Sequence, residues 1–363
     1  MLRRSLLGAT VGAAIGRPMG AHAQTPAKLR FPGDAGSHPD YATEWWYVTG
    51  CIYEEADTPV LGFQVTFFRS RISATQGMQS RLAAKQLIFA HAAVTDIAGK
   101  KLWHDQRVAR ASGAEPGQNP LDTASASTQD TGIVLKDWSL TRQKNGHLWA
   151  QVKGDAFSMD LSLEESQPLL LQGLNGLSQK GPDPAQTSYY YSLPHLQVKG
   201  EITLQGKRYT VGRGSTAWLD HEWSQQIMPS QAVGWDWIGI NLVGGGALTA
   251  FRLRDAAGSA VWDGGSLRAD SKQRTFVRGE VVFKPTRTWK SPLSQANYPV
   301  EWLVQTPANT YTVRAVLDDQ EMDSRMSTGS IYWEGLCEVR DGNQKLVGRG
   351  YLEMTGYAAP MRL

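Results

Sequence analysis

Alternation of apolar and polar residues with a period of two runs through most of this chain, and it constrains the fold more than any other feature. In GFQVTFFR, Phe63, Val65 and Phe67 fall on one face of an extended segment. The same spacing recurs in QLIFAHAAVTD, WDWIGINL and SIYWEGLCEV, and turn signals such as KNG, LQGK, DAAG and RDGN separate such segments. Because successive side chains of a strand point to opposite faces, the pattern predicts an all-β chain. Helices should be few, with one short helix expected within residues 71–86.

The length of the chain predicts two domains. Its 363 residues, 41% of them hydrophobic, are enough to build two ordinary cores. Each half also contains an acid followed by a tryptophan at the start of a strand, at Glu44 and at Asp236. We therefore predict two antiparallel β-barrel domains packed together, comprising residues 24–200 and 201–363.

Two polar segments interrupt the alternation. Residues 111–131 and 172–188 are rich in glycine, proline and small polar residues. Long loops of this composition often carry function at the surface. We expect both segments to be mobile loops that could lie over a site.

The N-terminus has the features of an export signal. Residues 1–23 combine a basic start, an apolar run and the small-residue site Ala21-His22-Ala23. The adjacent Arg3 and Arg4 ahead of Ser-Leu-Leu favour the twin-arginine route, with a general secretory signal as the alternative. We therefore expect the mature protein to be periplasmic or secreted.

The charge of the mature chain argues against polyanionic partners. The leader holds three of the 37 basic residues and no acid, so removing it leaves 34 basic residues against 34 acidic ones. No basic tract remains, and nucleic acid is therefore not an expected partner. No apolar stretch beyond the leader approaches the ~20 residues of a membrane helix, so no transmembrane segment is expected in the mature chain.

The segment YATEWWYVTG places a carboxylate directly before three large aromatic residues. If Glu44 is buried among Trp45, Trp46 and Tyr47, it must be paired or neutral. Arg69, at the end of the next predicted strand, is the partner we expect. In a strand, one alternating face would pack the first barrel and the other would line a cavity.

The segment TAWLDHEWSQQ contains three consecutive titratable residues between two tryptophans. Asp220, His221 and Glu222 would converge in a turn, whereas in a strand Asp220 and Glu222 would point away from His221. A carboxyl group beside indole rings favours its neutral form and can act as a general acid. We take these three residues and Glu44 as candidate catalytic residues, with a structural hydrogen-bond network as the alternative.

Other aromatic and polar residues are candidates for binding a ligand. His91 lies on an apolar face, where a satisfied core histidine is the alternative, and Tyr191 could orient a ligand through its phenol. The complete set of candidate ligand-binding residues is Trp45, Trp46, Tyr47, Arg69, His91, Tyr191, Trp223, Trp235 and Trp237.

Several common catalytic and cofactor-binding motifs are absent from the sequence. It has no GxSxG nucleophile motif, no HExxH zinc motif and no GxGxxG opening a helix after a strand. We therefore expect no cofactor and no metal. Cys51 and Cys337 lack metal-ligand spacing and are either two buried free thiols or a disulfide that ties the ends of the chain together.

A set of motifs, in this order along the chain, resembles the CrtC/AttH lipocalin-like family. The motifs are TEWWYVTG (43–50), FFR (67–69), FAHAAVTD (89–96), YYYS (189–192), AWLDHEWS (217–224), GWDWIGINL (234–242), FRLRD (251–255) and GRGYLEMTGY (348–357). The resemblance covers essentially the whole mature chain. It implies two lipocalin-like (calycin) β-barrels packed together.

The resemblance also implies a range of functions. The family includes hydratases of isoprenoid double bonds, pericyclase-like enzymes, and secreted members encoded beside ABC transporters. Its hydratase branch uses a His-x-Trp pair, which His221 and Trp223 match, and a downstream Tyr-x-Asp pair, which is absent near Phe251.

Two functional hypotheses follow. In the first, an enzyme adds water to, or hydrolyses, a hydrophobic isoprenoid or lipid-like molecule at the junction of the barrels. In the second, the same pocket carries a lipophilic ligand without chemistry, in association with an envelope ABC transporter.

Overall fold

The regular secondary structure of the protein is almost entirely antiparallel strands in this computed structural model, which describes residues 28–55 and 58–361. The all-β prediction is confirmed. The predicted signal peptide, residues 1–23, lies outside the described residues. The expected helix within residues 71–86 is a single 3-10 turn, Ser73–Thr75, and a second 3-10 turn spans Gly33–Ala35.

The first sheet contains the first fourteen strands. They are β1 (Thr43–Ile52), β2 (Leu61–Arg71), β3 (Gln86–Asp96), β4 (Lys101–Ala111), β5 (Ala124–Ala126), β6 (Gly132–Leu135), β7 (Trp138–Arg142), β8 (Leu148–Lys153), β9 (Phe157–Glu164), β10 (Leu170–Leu171), β11 (Leu177–Gln179), β12 (Thr187–Leu204), β13 (Lys207–Thr210) and β14 (Thr216–Ser224). Their order is β4-β3-β2-β1-β14-β12-β9-β8-β7-β6-β5, with β10, β11 and β13 paired to β12. This sheet curls into a nearly closed barrel.

The second sheet contains the last ten strands. They are β15 (Gly234–Leu242), β16 (Ala247–Arg254), β17 (Ala260–Ala269), β18 (Lys272–Phe276), β19 (Val282–Lys290), β20 (Asn297–Gln305), β21 (Thr310–Ala315), β22 (Glu321–Ser324), β23 (Ser330–Arg340) and β24 (Leu346–Met354). Their order is β18-β17-β16-β15-β24-β23-β21-β20-β19, with β22 paired to β23.

The division between the sheets differs from the predicted boundary between residues 200 and 201. That boundary falls inside β12, and β14 pairs with β1 and β12 of the first sheet. The second sheet begins only at Gly234. The pairing of β14 with β1 joins segments that are far apart in the sequence.

Burial along individual strands shows where the two sheets meet. Strand β9 alternates between buried and more exposed residues, as expected when one face meets solvent. Strands β1 and β14 are instead buried on both faces. One of their faces lines the interior of the first barrel, and the other packs against the second sheet through an apolar cluster that includes Tyr47, Trp218, Trp237, Phe251 and Tyr351. A functional site between the sheets is therefore built from the junction faces of these strands.

The two predicted loops contain short strands, β5 in residues 111–131 and β11 in residues 172–188. Among the described residues, no helix has the length and apolar character that crossing a membrane requires.

Candidate functional site at the junction of the two sheets

Strands β1 and β14 lie side by side and sort the predicted site residues onto two faces. Trp46 is opposite His221, and Trp45 is opposite Glu222. Because side chains alternate, Trp46 and His221 face the barrel interior, whereas Trp45 and Glu222 face the junction. The segment around His221 is a strand, so the three consecutive titratable residues do not converge.

Inside the first barrel, Glu44 is the centre of a buried polar network. The Arg69 Nε donates to Glu44 Oε2 over 2.7 Å, which confirms the expected pair. Glu44 Oε1 lies 3.0 Å from His221 Nε2 and 2.8 Å from His38 Nδ1. His221 Nδ1 lies 3.2 Å from the Tyr191 hydroxyl. We call His38, Glu44, Arg69, Tyr191 and His221 the Glu44 network.

The Glu44 network holds its central carboxylate in the ionised form. Burial alone would raise the pKa of Glu44, but hydrogen bonds from His221 and His38 and the charge of Arg69 lower this pKa well below its usual range. Burial also lowers the pKa of His221 to about 4, against the opposing effect of Glu44, so its imidazole is neutral near pH 7. Trp46 stacks on the His221 ring with centroids 4.6 Å apart, and Trp223 stacks on the His38 ring at 3.7 Å.

A cavity of about 690 Å³ lies between the two sheets. Its walls are mainly aromatic and aliphatic, and several carboxyl groups reach it. This composition is typical of sites for hydrophobic small molecules. We call it the junction cavity; its principal side chains are Trp45, Tyr47, Phe68, Phe89, His91, Lys180, Tyr190, Asp220, Glu222, Trp235, Trp237, Phe251, Tyr332, Glu334 and Glu353.

Asp220 is held in the wall of the junction cavity by three donors. Tyr190 donates to its Oδ2 over 2.8 Å, Trp218 donates to its Oδ1 over 2.8 Å, and Ser192 also donates to Oδ1. Burial raises the pKa of Asp220 to about 7 despite these hydrogen bonds, and the nearby charge of Glu222 raises it further.

Glu222 has a cationic partner in the same cavity. Its Oε1 lies 2.9 Å from the Lys180 Nζ and accepts a hydrogen bond from Ser188. The Lys180 ammonium also lies 4.3 Å from the centroid of the Phe251 ring. Lys180 is buried and comes from the segment leading to β12, so the predicted loop over residues 172–188 does contribute to this cavity.

Glu334 and Glu353 form a second carboxyl pair in the junction cavity, opposite each other on β23 and β24. Burial raises the pKa of Glu334 well above its usual range, and the charge of Glu353 adds to this effect. Burial likewise raises the pKa of Glu353 to about 7. Two carboxyl groups this close cannot both ionise readily, so the pair retains a proton near neutral pH. Glu334 Oε1 is buried and makes no hydrogen bond within the described part of the chain.

His91 connects the two sheets beside this pair. Its Nδ1 lies 2.8 Å from the Tyr332 hydroxyl, and its Nε2 lies 2.8 Å from the Ser327 hydroxyl. Burial lowers the pKa of His91 to about 3, so the ring is neutral. Both ring nitrogens have partners, which fits the alternative of a satisfied buried histidine.

The predicted site residues therefore separate into three groups. Trp46, Tyr191, His221 and Trp223 do not line the junction cavity but belong to the barrel interior. Glu44 and Arg69 border the cavity, although their charged groups bond within the Glu44 network. The predicted site residues that line the cavity are Trp45, Tyr47, His91, Asp220, Glu222, Trp235 and Trp237.

Sequence analysis missed Lys180, Tyr190, Tyr332, Glu334 and Glu353. The signal that could have found the two acids was an acid inside an otherwise apolar strand, as in SIYWEGLCEV and GYLEM. Such an acid requires a buried environment that tolerates it. The pairing of the two acids could not be found in this way, because it depends on the register of β23 against β24.

Comparisons with known proteins agree with this architecture. The AttH-like family model matches residues 22–357. The chain is similar to the crystal structure of a protein assigned as an AttH in Nitrosomonas europaea, with 42% identity over 92% of this chain and 99% of that chain and a TM-score of 0.83.

Two more distant structures share the fold. Kievitone hydratase from Nectria haematococca is 14% identical over 92% of this chain and 94% of that chain, with a TM-score of 0.67. CghA is 12% identical over 93% of this chain and 96% of that chain, with a TM-score of 0.52. No curated protein sequence matched the chain significantly.

Proposed function

We propose that this chain, which belongs to the AttH-like family, is a hydratase-type enzyme that adds water to an unsaturated hydrophobic small molecule in the junction cavity. The observation that carries the proposal is the carboxyl pair Glu334 and Glu353, which faces an aromatic cavity of about 690 Å³. The name of one structural neighbour, kievitone hydratase, supports the same class of reaction.

The proposed reaction uses one proton of the pair. The protonated carboxyl group of Glu334 transfers its proton to one alkene carbon, which forms a C–H bond and leaves a carbocation on the other carbon. The ionised carboxylate of Glu353 takes a proton from water while the water oxygen bonds to the cation. The sum is the addition of one water molecule, and the pair again holds one proton.

The aromatic walls support this chemistry. Trp45, Phe68, Trp237 and Phe251 line the same cavity. A cation over such rings is stabilised by up to about 2 kcal/mol where water is excluded. Glu334 Oε1, which has no hydrogen-bond partner among the described residues, can bond to the substrate or the water.

The test is hydration of unsaturated isoprenoids and related apolar alkenes by residues 24–363 in 18O-labelled water. The expected product gains one labelled water by mass spectrometry. Glu334→Gln should lower turnover by roughly 10²- to 10⁴-fold, the usual contribution of a positioned acid. Glu301→Gln is the matched control, because Glu301 lies on β20 outside the cavity lining.

A non-catalytic carrier is the second candidate, favoured by the mainly apolar walls. A carrier would co-purify with a chemically unchanged ligand, and the Glu334→Gln variant would bind and release the same unchanged ligand. An active wild type with an equally active Glu334→Gln variant would show that the carboxyl pair does not take part in the reaction.

We further propose that the protein acts in the periplasm or outside the cell, which rests on the sequence of residues 1–23. The envelope transporter partner stays a prediction.

A further inference from the structure

Three potential metal ligands converge inside the first barrel, and of these only Glu44 also borders the junction cavity. They are His38 Nδ1, Glu44 Oε1 and His221 Nε2, which lie within 4.8 Å of one another. The three residues come from the loop before β1, from β1 and from β14. Two imidazoles and one carboxylate are a ligand set typical of first-row divalent ions.

Each of the three ligand residues also has a hydrogen-bond partner on its other polar side-chain atom. Asp34 Oδ1 lies 3.2 Å from His38 Nε2, and the Tyr191 hydroxyl lies 3.2 Å from His221 Nδ1. Glu44 Oε2 accepts hydrogen bonds from Arg69 and from Ser37. Partners on the far atoms of ligating residues, such as a carboxylate on the second histidine nitrogen, are characteristic of metal sites.

The contacts of the His38 ring also fit a bound cation. Its Nε2 faces a carboxylate oxygen of Asp34, and its Nδ1 faces a carboxylate oxygen of Glu44. A neutral imidazole has only one N–H, so one of these nitrogens would direct a lone pair at an anionic oxygen. A cation bound to Nδ1 would accept this lone pair while Nε2 donates its proton to Asp34.

The charge around the site favours a bound cation. Asp34 and Glu44 supply two carboxylates, and Arg69 supplies one guanidinium. A divalent ion on Glu44 Oε1 leaves Arg69 in place, because Arg69 contacts the other oxygen.

We infer that His38, Glu44 and His221 bind a divalent first-row transition-metal ion, with Zn²⁺ as the probe, and that the ion fixes the loop carrying His38 against β1 and β14. Three protein ligands leave a coordination position for water. This inference is independent of the proposed hydratase function. It replaces the sequence expectation of no metal, which relied on short-range motifs, because His221 lies 177 residues from Glu44 and cannot form such a motif with it.

The test is titration of the tag-free, chelator-treated mature protein with Zn²⁺ by calorimetry, with competition against a chromophoric chelator. We expect one ion per chain. Asp34→Asn should weaken affinity by roughly 10- to 100-fold, and His38→Ala, which removes a ligand, should weaken it more. His38 lies in a loop with 15% of its side chain exposed, so this variant is expected to fold.

The matched control is His147→Ala. His147 lies 3.9 Å from Glu164 at the surface and represents an adventitious histidine–carboxylate pair. Affinity should be unchanged in this variant. Failure of the wild type to bind Zn²⁺, or equal binding by His38→Ala, would overturn the inference and leave His38 as a member of a metal-free hydrogen-bond network.

Discussion

Glu334 and Glu353 occupy directly opposite positions on β23 and β24, and both face the junction cavity. Opposite residues of an antiparallel pair have Cβ atoms roughly 5 Å apart. Two carboxyl groups at this separation in an apolar wall are costly when both are ionised. The pair therefore couples the stability of the fold to the protonation of its candidate site.

This coupling predicts a pH-dependent stability. The pKa of Glu353 is raised from 4.5 to about 7 by burial, with Asp220 and Glu222 among the acids that face it. The folded state thus holds a proton that the unfolded chain releases, so the free energy of unfolding should fall as the pH rises from about 4.5 to about 7. Glu353→Gln should reduce this decline. The shift in the pKa of Glu353 corresponds to about 3 kcal/mol. The measured reduction should be smaller, because Glu353 is partly exposed and solvent screens its charge.

Urea denaturation across this pH range measures the effect of Glu353→Gln. Glu301→Gln serves as the control, since Glu301 is partly exposed and paired with Arg314. An unchanged slope in Glu353→Gln would show that Glu353 ionises normally in the folded protein.

Arg69→Met should strongly destabilise the first barrel. Arg69 and Glu44 have side chains with no exposed area, and the substitution leaves the Glu44 carboxylate without its guanidinium. Removing one member of a buried ion pair typically costs about 3–5 kcal/mol. The double variant Glu44→Gln/Arg69→Met should recover part of this loss, because it removes the stranded charge. Equal stability of the single variant and the wild type in denaturant titrations would contradict the prediction.

Trp45 and Trp46 are adjacent in sequence but should respond differently to substitution. Trp46 is 1% exposed in the core of the first barrel, so Trp46→Ala should cost about 3–5 kcal/mol of stability. Trp45 lines the junction cavity, so Trp45→Ala should weaken the binding of an apolar fluorescent probe at a smaller cost in stability. Denaturation and probe titration on both variants test this. Identical effects on both readouts would mean that the two faces of β1 are not separated.

The two cysteines should be unreactive in the folded protein. Cys51 and Cys337 are buried free thiols, and burial raises the pKa of each. A thiol reagent should therefore label neither cysteine under native conditions and both in denaturant without reductant. Labelling that requires a reductant would indicate the disulfide that the sequence left open.

The metal and hydratase proposals can fail separately. Zn²⁺ binding depends on residues of the barrel interior, whereas the proposed hydration depends on Glu334 and Glu353 of the second sheet. His38→Ala should thus weaken metal binding without removing the junction carboxyl pair.

The sequence by itself determined the local features of this protein. Its period-two pattern established the all-β class, and the alternation along β1 assigned Trp45 and Trp46 to opposite faces of that strand. The Glu44–Arg69 pair was also predictable, because a buried carboxylate between aromatic residues requires a partner and Arg69 closes the next strand. These features depend on the geometry of single strands and of neighbouring hairpins.

Only the tertiary structure decided which faces meet. The placement of β14 between β1 and β12 turned His221 into the barrel and Asp220 into the junction cavity. The opposition of Glu334 and Glu353 and the approach of His38 to His221 likewise join groups from separate segments of the chain. Alternation along a strand places the side chains of sequence neighbours on opposite faces. The pairing of strands that are distant in sequence determines whether each face meets the barrel interior or the junction cavity.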